Sequence, residues 1–215
     1  VMASGGWINK HIVEDLPVEH KKAYDQFNHA PMLVANVALT NWRFLEKLGI
    51  TAYQWKGGFG FHTNIRKPMH VGKYQPDLDP NKPITLTFYV SFEKTNQGLS
   101  AQQQSRIGQY EMLGKTYMQY EREIRQQMVK LFGGSGFDPK NDIAGIILNR
   151  WGHAYVTPTP GFFYSPDGGP GYSQIIKNQP FGRISFGHSE LRGYQHWGPA
   201  AEEGSRAVDQ LVDFI

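Results

Sequence analysis

The clearest structural pattern in this chain lies in residues 181–215, which read FGRISFGHSELRGYQHWGPAAEEGSRAVDQLVDFI. A short β-prone run at 183–186 ends at Gly187, and a loop of polar and aromatic residues follows. Gly198 and Pro199 then begin a predicted helix, because proline suits a first turn, where its missing N–H costs no hydrogen bond. A helix N-terminus of this kind favours electron-rich ligand oxygens.

This segment resembles the C-terminal flavin-binding segment of the flavin-dependent amine oxidase family. The family pattern is a strand, a glycine, a glutamate shortly after it, an aromatic-rich loop, and a helix with small residues and an Arg-Ala pair. The matching residues here are Gly187, Glu190, Tyr194, His196, Trp197, Gly198, Ala200, Gly204, Arg206 and Ala207. Small residues at the helix start would allow a ligand to approach the backbone closely.

Two other segments extend the resemblance. NRWGHAYVTPTPG at 149–161 is similar to the aromatic Gly/Pro segment that lines the flavin in this family. VMAS, followed by EDLPVEHKKAY, is similar to the passage from the flavin domain into the substrate domain. Within the family, the wording NRWGHAY looks closest to bacterial spermidine-dehydrogenase-like flavoproteins.

The resemblance implies an α/β chain of the α+β kind with a mixed sheet. It would combine the substrate domain of the flavin amine oxidase fold with the final strand and helix of the FAD-binding domain. The implied boundaries are 1–6 for the end of a flavin-domain strand, 7–150 for the substrate-binding domain, and 151–215 for the return to the flavin domain. The order of elements shows no regular βαβ alternation, which argues against a complete doubly wound domain.

The glycine fingerprint of dinucleotide binding, G-x-G-x-x-G between a strand and a helix, does not occur in the sequence. Glycine-rich stretches at 57–60, 133–136 and 168–171 lack that spacing. We therefore expect the C-terminal part of a longer flavoprotein, with the N-terminal half of the same protein as its partner. The alternative is a folded fragment or binding module that cannot hold FAD without that half.

Hydrophobic periodicity predicts the other main elements. Strands are expected at 32–41 and 84–92, shorter ones near 53–55 and 59–61, and a helix at 42–48. A single long helix is expected at 101–132, with Ser100 and Gln103 as a capping box. Its apolar face would contain Ile107, Tyr110, Leu113, Tyr117, Tyr120, Ile124, Met128 and Leu131.

The expected activity is hydride transfer from an amine to flavin, followed by hydrolysis of the imine. Because the cofactor supplies the difficult chemistry, the protein must hold it, orient the amine and exclude water, and aromatic walls suit that task. The resemblance implies a catalytic set of Tyr155, His196, Tyr194, Trp151 and Asn36. It implies FAD contacts from Gly187, Glu190, His196, Trp197, Gly198 and Ala200, with the backbone N–H of Trp197 or Gly198 meeting the flavin pyrimidine oxygen.

One departure concerns the strand at 32–41. Many family members carry a lysine there that holds a water near the flavin, whereas this strand has only Asn36 and Thr40 as polar candidates. The absence of this lysine favours a dehydrogenase over an oxidase. A third interpretation, an unrelated cofactor fold with accidental similarity, would gain support if residues 197–204 were not helical.

Composition limits the partners. The chain has 22 basic and 19 acidic residues with no basic tract, which disfavours nucleic acid and membrane surfaces. No apolar run is long enough to span a bilayer, and the absence of cysteine excludes thiolate metal sites. Histidine spacing does not match H-E-x-x-H, so no metal is expected. The expected ligand is a small-molecule amine, and a periplasmic location is compatible with the resemblance. A polyamine would need acidic residues, for which Glu93, Glu121, Glu190 and Glu202 are available.

Overall fold

A computed structural model describes residues 1–66, 69–75, 77–92, 94–178 and 180–212. The helices within these ranges are α1 (Gly6–Ile12), α2 (Val18–Tyr24), α3 (Arg43–Leu48), α4 (Ala101–Gly114), α5 (Tyr117–Phe132), α6 (Tyr172–Lys177) and α7 (Trp197–Val212). The strands are β1 (Asn28–His29), β2 (Met32–Leu39), β3 (Ala52–Gln54), β4 (His62–Ile65), β5 (Ile84–Ser91), β6 (Ile143–Trp151) and β7 (Val156–Thr157). Glu93 and residues 213–215, which the sequence analysis included, lie outside the described ranges.

The chain divides into two compact units. The first contains Val1–Pro31, Glu93–Gly108 and Gly152–Ile215, and the second contains Met32–Phe92 and Gln109–Trp151. This division differs from the boundaries that the sequence predicted, because residues 7–31 and 93–108 group with the C-terminal segment. The pairing of β1 with β7 accounts for part of that grouping, since it joins Asn28 to Thr157 and His29 to Val156.

A five-stranded antiparallel sheet, in the order β3-β4-β5-β2-β6, forms the second unit. The predicted class of α and β elements is confirmed, but the strands of this sheet are all antiparallel rather than mixed. Strict alternation along β2 separates its two faces: Leu33, Ala35, Val37 and Leu39 are buried, while Met32, Val34 and Asn36 are half-buried. One face therefore belongs to the core, and the other, which we call the open face, does not.

Helix α5 covers the buried face of this sheet. Tyr120, Ile124 and Met128 are fully buried there, as the predicted apolar face requires. Each apolar side chain removed from water in this way stabilises the unit by about 1.5–3 kcal/mol. Phe44 from α3 packs against Phe132 and Phe137, with ring centroids 4.8 and 4.9 Å apart.

The predicted single helix at 101–132 is wrong, because the chain forms two helices that break at Lys115 and Thr116. Thr116 and Gln119 form a second capping box, which begins α5 anew. The break changes the helical phase, so Tyr110 and Leu113 are 78% and 62% exposed instead of lying on the buried face. The predicted capping box of α4 is present: Ser100 N–H donates to Gln103 Oε1 at 2.9 Å, and Gln103 N–H donates to Ser100 Oγ at 3.2 Å.

The first unit is built from short helices, the small β1-β7 sheet and α7. Its core contains Tyr24, Phe27, Phe162, Phe186 and Leu191, all buried. The β-prone run at 183–186 forms only isolated bridges, a parallel one between Met2 and Phe186 and an antiparallel one between Phe181 and Ile184. Among the described residues, no helix is both long and apolar enough to cross a membrane.

Candidate functional site

Gly187 is the point where the C-terminal helix approaches the preceding strand run. A Cβ atom at Gly187 would lie 2.9 Å from both the Ala207 Cβ and the Glu203 carbonyl oxygen. Real Cβ atoms do not come that close, so only glycine permits this packing. The backbone of Met2 continues the arrangement: Met2 N–H donates to the Ser185 carbonyl at 2.7 Å, and Gly187 N–H donates to the Met2 carbonyl at 2.9 Å.

Arg206 holds α7 to this point. Its Nε–H donates to Glu203 Oε2 at 2.7 Å, and its Nη1–H donates to Gln210 Oε1 at 2.7 Å. The Nη2–H group donates to the Phe186 carbonyl oxygen. A planar guanidinium makes several directed bonds at once, which fixes the helix against the strand run. The Arg-Ala pair of the sequence pattern is therefore a packing element here: Ala207 is fully buried beside Gly187.

Glu190 lies in a 3₁₀ turn (Ser189–Arg192) and is only 1% exposed. Its Oε2 accepts a hydrogen bond of 2.7 Å from the Gly6 N–H, and its Oε1 lies 2.9 Å from His29 Nε2. Gln195 Nε2–H donates to the same Oε1 at 3.1 Å. A buried carboxylate needs partners of this kind, and this one thereby joins α1, β1 and the aromatic loop.

Burial opposes ionisation of Glu190, but the hydrogen bond and charge of His29, the Gly6 N–H and the charge of His188 outweigh it. Together they lower the pKa of Glu190 from 4.5. Burial, with the charge of His29, lowers the pKa of His153 from 6.5, and Glu190 opposes that shift. Among the described residues, no group of three His, Asp or Glu side chains is arranged to hold a metal ion.

Gln195 fixes the segment that carries Tyr155. Its Oε1 accepts a hydrogen bond of 2.6 Å from the Val156 N–H, and its Nε2–H donates to the His153 carbonyl at 3.4 Å. The Tyr155 carbonyl accepts from the Ala30 N–H at 2.7 Å. The peptide bond between Ala154 and Tyr155 is cis, and the Tyr155 side chain is 45% exposed. Its backbone is held firmly, while its ring remains accessible.

The start of α7 presents an accessible helix end. Trp197 and Gly198 are its first residues, so their N–H groups belong to the turn that has no intrahelical acceptor. A Cβ atom at Gly198 would meet no atom of the described residues within 4 Å, so these residues leave the space beside it open. Trp197 and Tyr194 are 78% and 56% exposed, and His196 is also exposed. This combination fits a planar aromatic group with acceptor oxygens.

No family model matches this chain, and no curated protein matches it. Several solved structures do match this chain. A putrescine oxidase variant with redesigned cofactor binding superposes with a TM-score of 0.63 at 13% identity, covering 99% of this chain and 42% of that one. A double mutant gives 0.62 at 15% identity, covering 98% and 42%. Wild-type putrescine oxidase bound to putrescine gives 0.61 at 15% identity, covering 96% and 41%.

The chain has the fold of part of putrescine oxidase. That enzyme is a flavin amine oxidase, so the fold expected from the resemblance is confirmed. The chain spans about two fifths of the length of these relatives, which leaves their activity, substrate and cofactor as proposals for this chain. Residues 197–204 are helical, because they lie within α7 (Trp197–Val212). The interpretation as an unrelated cofactor fold, which required them not to be helical, therefore gains no support.

Most predicted site residues lie in the first unit: Tyr155, Gly187, Glu190, Tyr194, His196, Trp197, Gly198 and Ala200. Trp151 and Asn36 belong to the second unit. Trp151 ends β6 opposite Met32 and is 55% exposed. Asn36 accepts a hydrogen bond of 2.7 Å from the Thr87 hydroxyl through its Oδ1. The roles assigned to all these residues remain predictions.

Sequence reasoning missed three residues that organise the first unit. His29 and Gln195 hold Glu190, and Trp7 stacks on His153 with ring centroids 4.2 Å apart and planes 12° apart. Gln195 lies within the aromatic loop that the family pattern marks, so its position was a usable signal. His29 and Trp7 had none, because their partners are distant along the chain.

Proposed function

We propose that this chain supplies the substrate-binding part and the C-terminal flavin-contacting part of an FAD-dependent amine oxidoreductase. The observation that carries the proposal is the start of α7, where the open space beside Gly198, the first-turn N–H groups and exposed aromatic rings occur together. The fold of putrescine oxidase supports it, since that protein binds an amine.

The first unit has residues that fit FAD. Trp197 and Gly198 would offer backbone N–H groups to the pyrimidine oxygens, and Ala200 would leave room beside them. Gly187 and the buried Glu190 would position the ribityl and phosphate end through the packing of α7 and the ordering of α1. Bound FAD supplies an acceptor for the hydride from the carbon next to the amine nitrogen, and water then hydrolyses the imine product.

The protein's own contribution would be orientation and exclusion of water. Tyr155 and an aromatic of the loop, Tyr194 or His196, would form the walls against which the amine lies. For Trp151 and Asn36, which belong to the second unit, the proposed catalytic role rests on the resemblance alone. Strand β2 has no lysine, which supports transfer of electrons to an acceptor other than oxygen, hence a dehydrogenase. Putrescine, the ligand of the wild-type relative, is the first amine to assay.

The chain contains no G-x-G-x-x-G motif, so the pyrophosphate grip would come from an N-terminal half of the same flavoprotein. The alternative function is a folded, non-catalytic module that does not hold FAD by itself. The two are separated by absorbance spectra of the purified chain after gel filtration with FAD, in the presence and absence of the dinucleotide-binding half.

Flavin bands that remain with the chain only when that half is present would support the proposal. Reduction of those bands under anaerobic conditions by an amine would then establish the activity. A complex that retains FAD but is not bleached by any primary or secondary amine would overturn the enzymatic part. A complex of both halves that fails to retain FAD would overturn the cofactor part.

A further inference from the structure

We propose that the open face of the five-stranded sheet carries a carboxylate-binding site formed by Arg66, Tyr89 and Asn36. The inference rests on the proposed function and deepens it: the substrate would be an amine that also bears a carboxylate, rather than a polyamine. The three residues come from β5, from β2 and from the position that follows β4, all within the second unit.

A continuous hydrogen-bond chain connects these residues. Arg66 Nε–H donates to Thr87 Oγ1 at 3.0 Å, and the Thr87 hydroxyl donates to Asn36 Oδ1 at 2.7 Å. Arg66 Nη2–H donates to the Tyr89 hydroxyl oxygen at 2.8 Å, and the guanidinium carbon lies 5.9 Å from the centre of the Tyr89 ring. Because Arg66 N–H also donates to the Thr85 carbonyl at 2.8 Å, backbone and side chain are both fixed.

The direction of these bonds leaves several donors unused by the network. A guanidinium has five N–H groups, of which this network uses two. The Tyr89 oxygen accepts from Arg66, and the Tyr89 hydroxyl proton has no acceptor among the described residues. Asn36 uses its carbonyl oxygen toward Thr87, and within the same residues its amide N–H groups have no acceptor either. Arg66 is exposed although its partner Thr87 is fully buried. A fixed, accessible guanidinium flanked by neutral donors matches a carboxylate in charge and geometry.

The charged residues of the sheet also favour a carboxylate over a second ammonium group. Strands β2 to β6 contain no Asp or Glu, and Arg66 directly follows β4. The second ammonium group of a polyamine would therefore meet a cation and no counter-charge on these strands. A substrate that carries both an ammonium and a carboxylate group would instead place its carboxylate, not its ammonium, beside Arg66.

The acidic residues that a polyamine would need already contact other side chains of the protein where the structure describes them. Glu121 pairs with Arg125 at 2.8 Å, and Glu202 pairs with Arg192 at 2.9 Å. Glu190 is buried in its contact with His29. The fourth candidate, Glu93, lies outside the described residues. Of the carboxylates expected to bind a second ammonium group, Glu121 and Glu202 are thus paired with arginines and Glu190 is hydrogen-bonded and buried.

The test compares two ligands with the same four-carbon skeleton, putrescine and 4-aminobutanoate, which differ by one terminal group. We would titrate each into the ¹⁵N-labelled chain and follow the Arg66 Nε and Asn36 Nδ2 resonances. We expect 4-aminobutanoate to shift both and putrescine to shift neither. Arg66→Gln should weaken 4-aminobutanoate binding about tenfold or more, because a charged hydrogen-bond donor is lost. Arg43→Gln, at an exposed arginine of α3, should leave it unchanged.

Tyr89→Phe serves as a second variant, since it removes only the hydroxyl and keeps the ring. It should weaken 4-aminobutanoate binding severalfold without altering the far-ultraviolet circular dichroism. The inference is overturned if 4-aminobutanoate does not shift the two resonances, if putrescine shifts them equally, or if Arg66→Gln and Arg43→Gln bind 4-aminobutanoate alike.

Failure of this inference can be told apart from failure of the proposed function. Putrescine that reduces FAD in the completed flavoprotein, together with 4-aminobutanoate that neither binds nor reduces it, would retain the amine oxidoreductase and reject the carboxylate site. Arg66-dependent binding of 4-aminobutanoate with no amine reducing FAD would retain the site and reject the enzyme. Reduction by 4-aminobutanoate that Arg66→Gln slows would support both.

Discussion

His29 Nε2 and Glu190 Oε1 lie 2.9 Å apart, and their side chains are 3% and 1% exposed. The two residues are separated by 161 positions in the sequence, so this contact connects distant parts of the first unit. A buried carboxylate hydrogen-bonded to an imidazole contributes little net stability compared with apolar residues, but losing one partner is costly because the other remains desolvated. The pair therefore specifies how β1 and the 3₁₀ turn fit together.

Glu190→Gln should destabilise the first unit by about 3 kcal/mol, since it removes the buried carboxylate that contacts Gly6 N–H, His29 Nε2 and Gln195 Nε2. Amide hydrogen exchange at Gly6 and Val156 would report this loss, because both N–H groups belong to the network around Glu190. Glu202→Gln is the matched control: its pair with Arg192 is 60% and 48% exposed, so we expect less than about 1 kcal/mol. Equal protection of both amides in wild type and Glu190→Gln would contradict the assignment.

Lowering the pH should weaken the contribution of the Glu190–His29 contact to stability. The pKa of Glu190 is lower in the folded protein than the ordinary 4.5, so its stabilising contribution is complete above pH 4.5 and is lost as the pH falls below that value toward the folded pKa. We expect the difference in unfolding free energy between wild type and Glu190→Gln to shrink over that range. Urea titrations at a series of pH values from neutral to acid measure it, and a constant difference would contradict the linkage.

His20 is buried in α2 at 7% exposure, and neither of its ring nitrogens has a hydrogen-bond partner in the part of the chain that the structure describes. Burial lowers its pKa from 6.5, although the charge of Glu19 opposes the shift. Because the folded pKa is the lower one, a stability penalty develops as the pH falls below 6.5. His20→Leu should therefore stabilise the protein by about 1 kcal/mol at neutral pH, and by more at lower pH.

Thermal unfolding of His20→Leu and wild type at neutral and mildly acidic pH would test this, with His11→Leu as the control at an exposed site on α1. The control should change stability equally little at both pH values. A His20→Leu variant that is less stable than wild type at both would mean that the imidazole makes a favourable contact that outweighs its unpaired nitrogens.

The sequence predicts correctly those elements whose hydrophobic pattern or capping residues lie within one short stretch of the chain. Strand β2, strand β5 and helix α7 follow from apolar alternation and from a proline and small residues at a helix start. The break before α5 also had a local signal, the Thr116-Gln119 capping box, but apolar spacing continued across it and favoured one helix.

The candidate site was predictable where the family pattern marks it and unpredictable where it depends on long-range contacts. The open helix start at Gly198 follows from the pattern, whereas the buried pair of Glu190 with His29 requires the fold. Likewise, the alternation of β2 places Asn36 on the open face, but nothing in the sequence indicates that Arg66 reaches it through Thr87. Side-chain networks across strands depend on register, which pattern alone does not specify.

Gly187→Ala should destabilise the first unit by about 2 kcal/mol, because the added methyl group would overlap Ala207 and the Glu203 carbonyl and force α7 away from the strand run. Gly204→Ala is the matched control on the same helix. Its new Cβ would meet no atom within 4 Å, and alanine is favoured over glycine in a helix by about 1 kcal/mol, so stability should rise. Urea unfolding of the two variants, with hydrogen exchange along α7, measures both effects. Since the steric overlap exists only in the packed helix, a Gly187→Ala protein as stable as Gly204→Ala would mean that α7 does not pack on Gly187, and the proposed flavin-contacting helix start would lose its support.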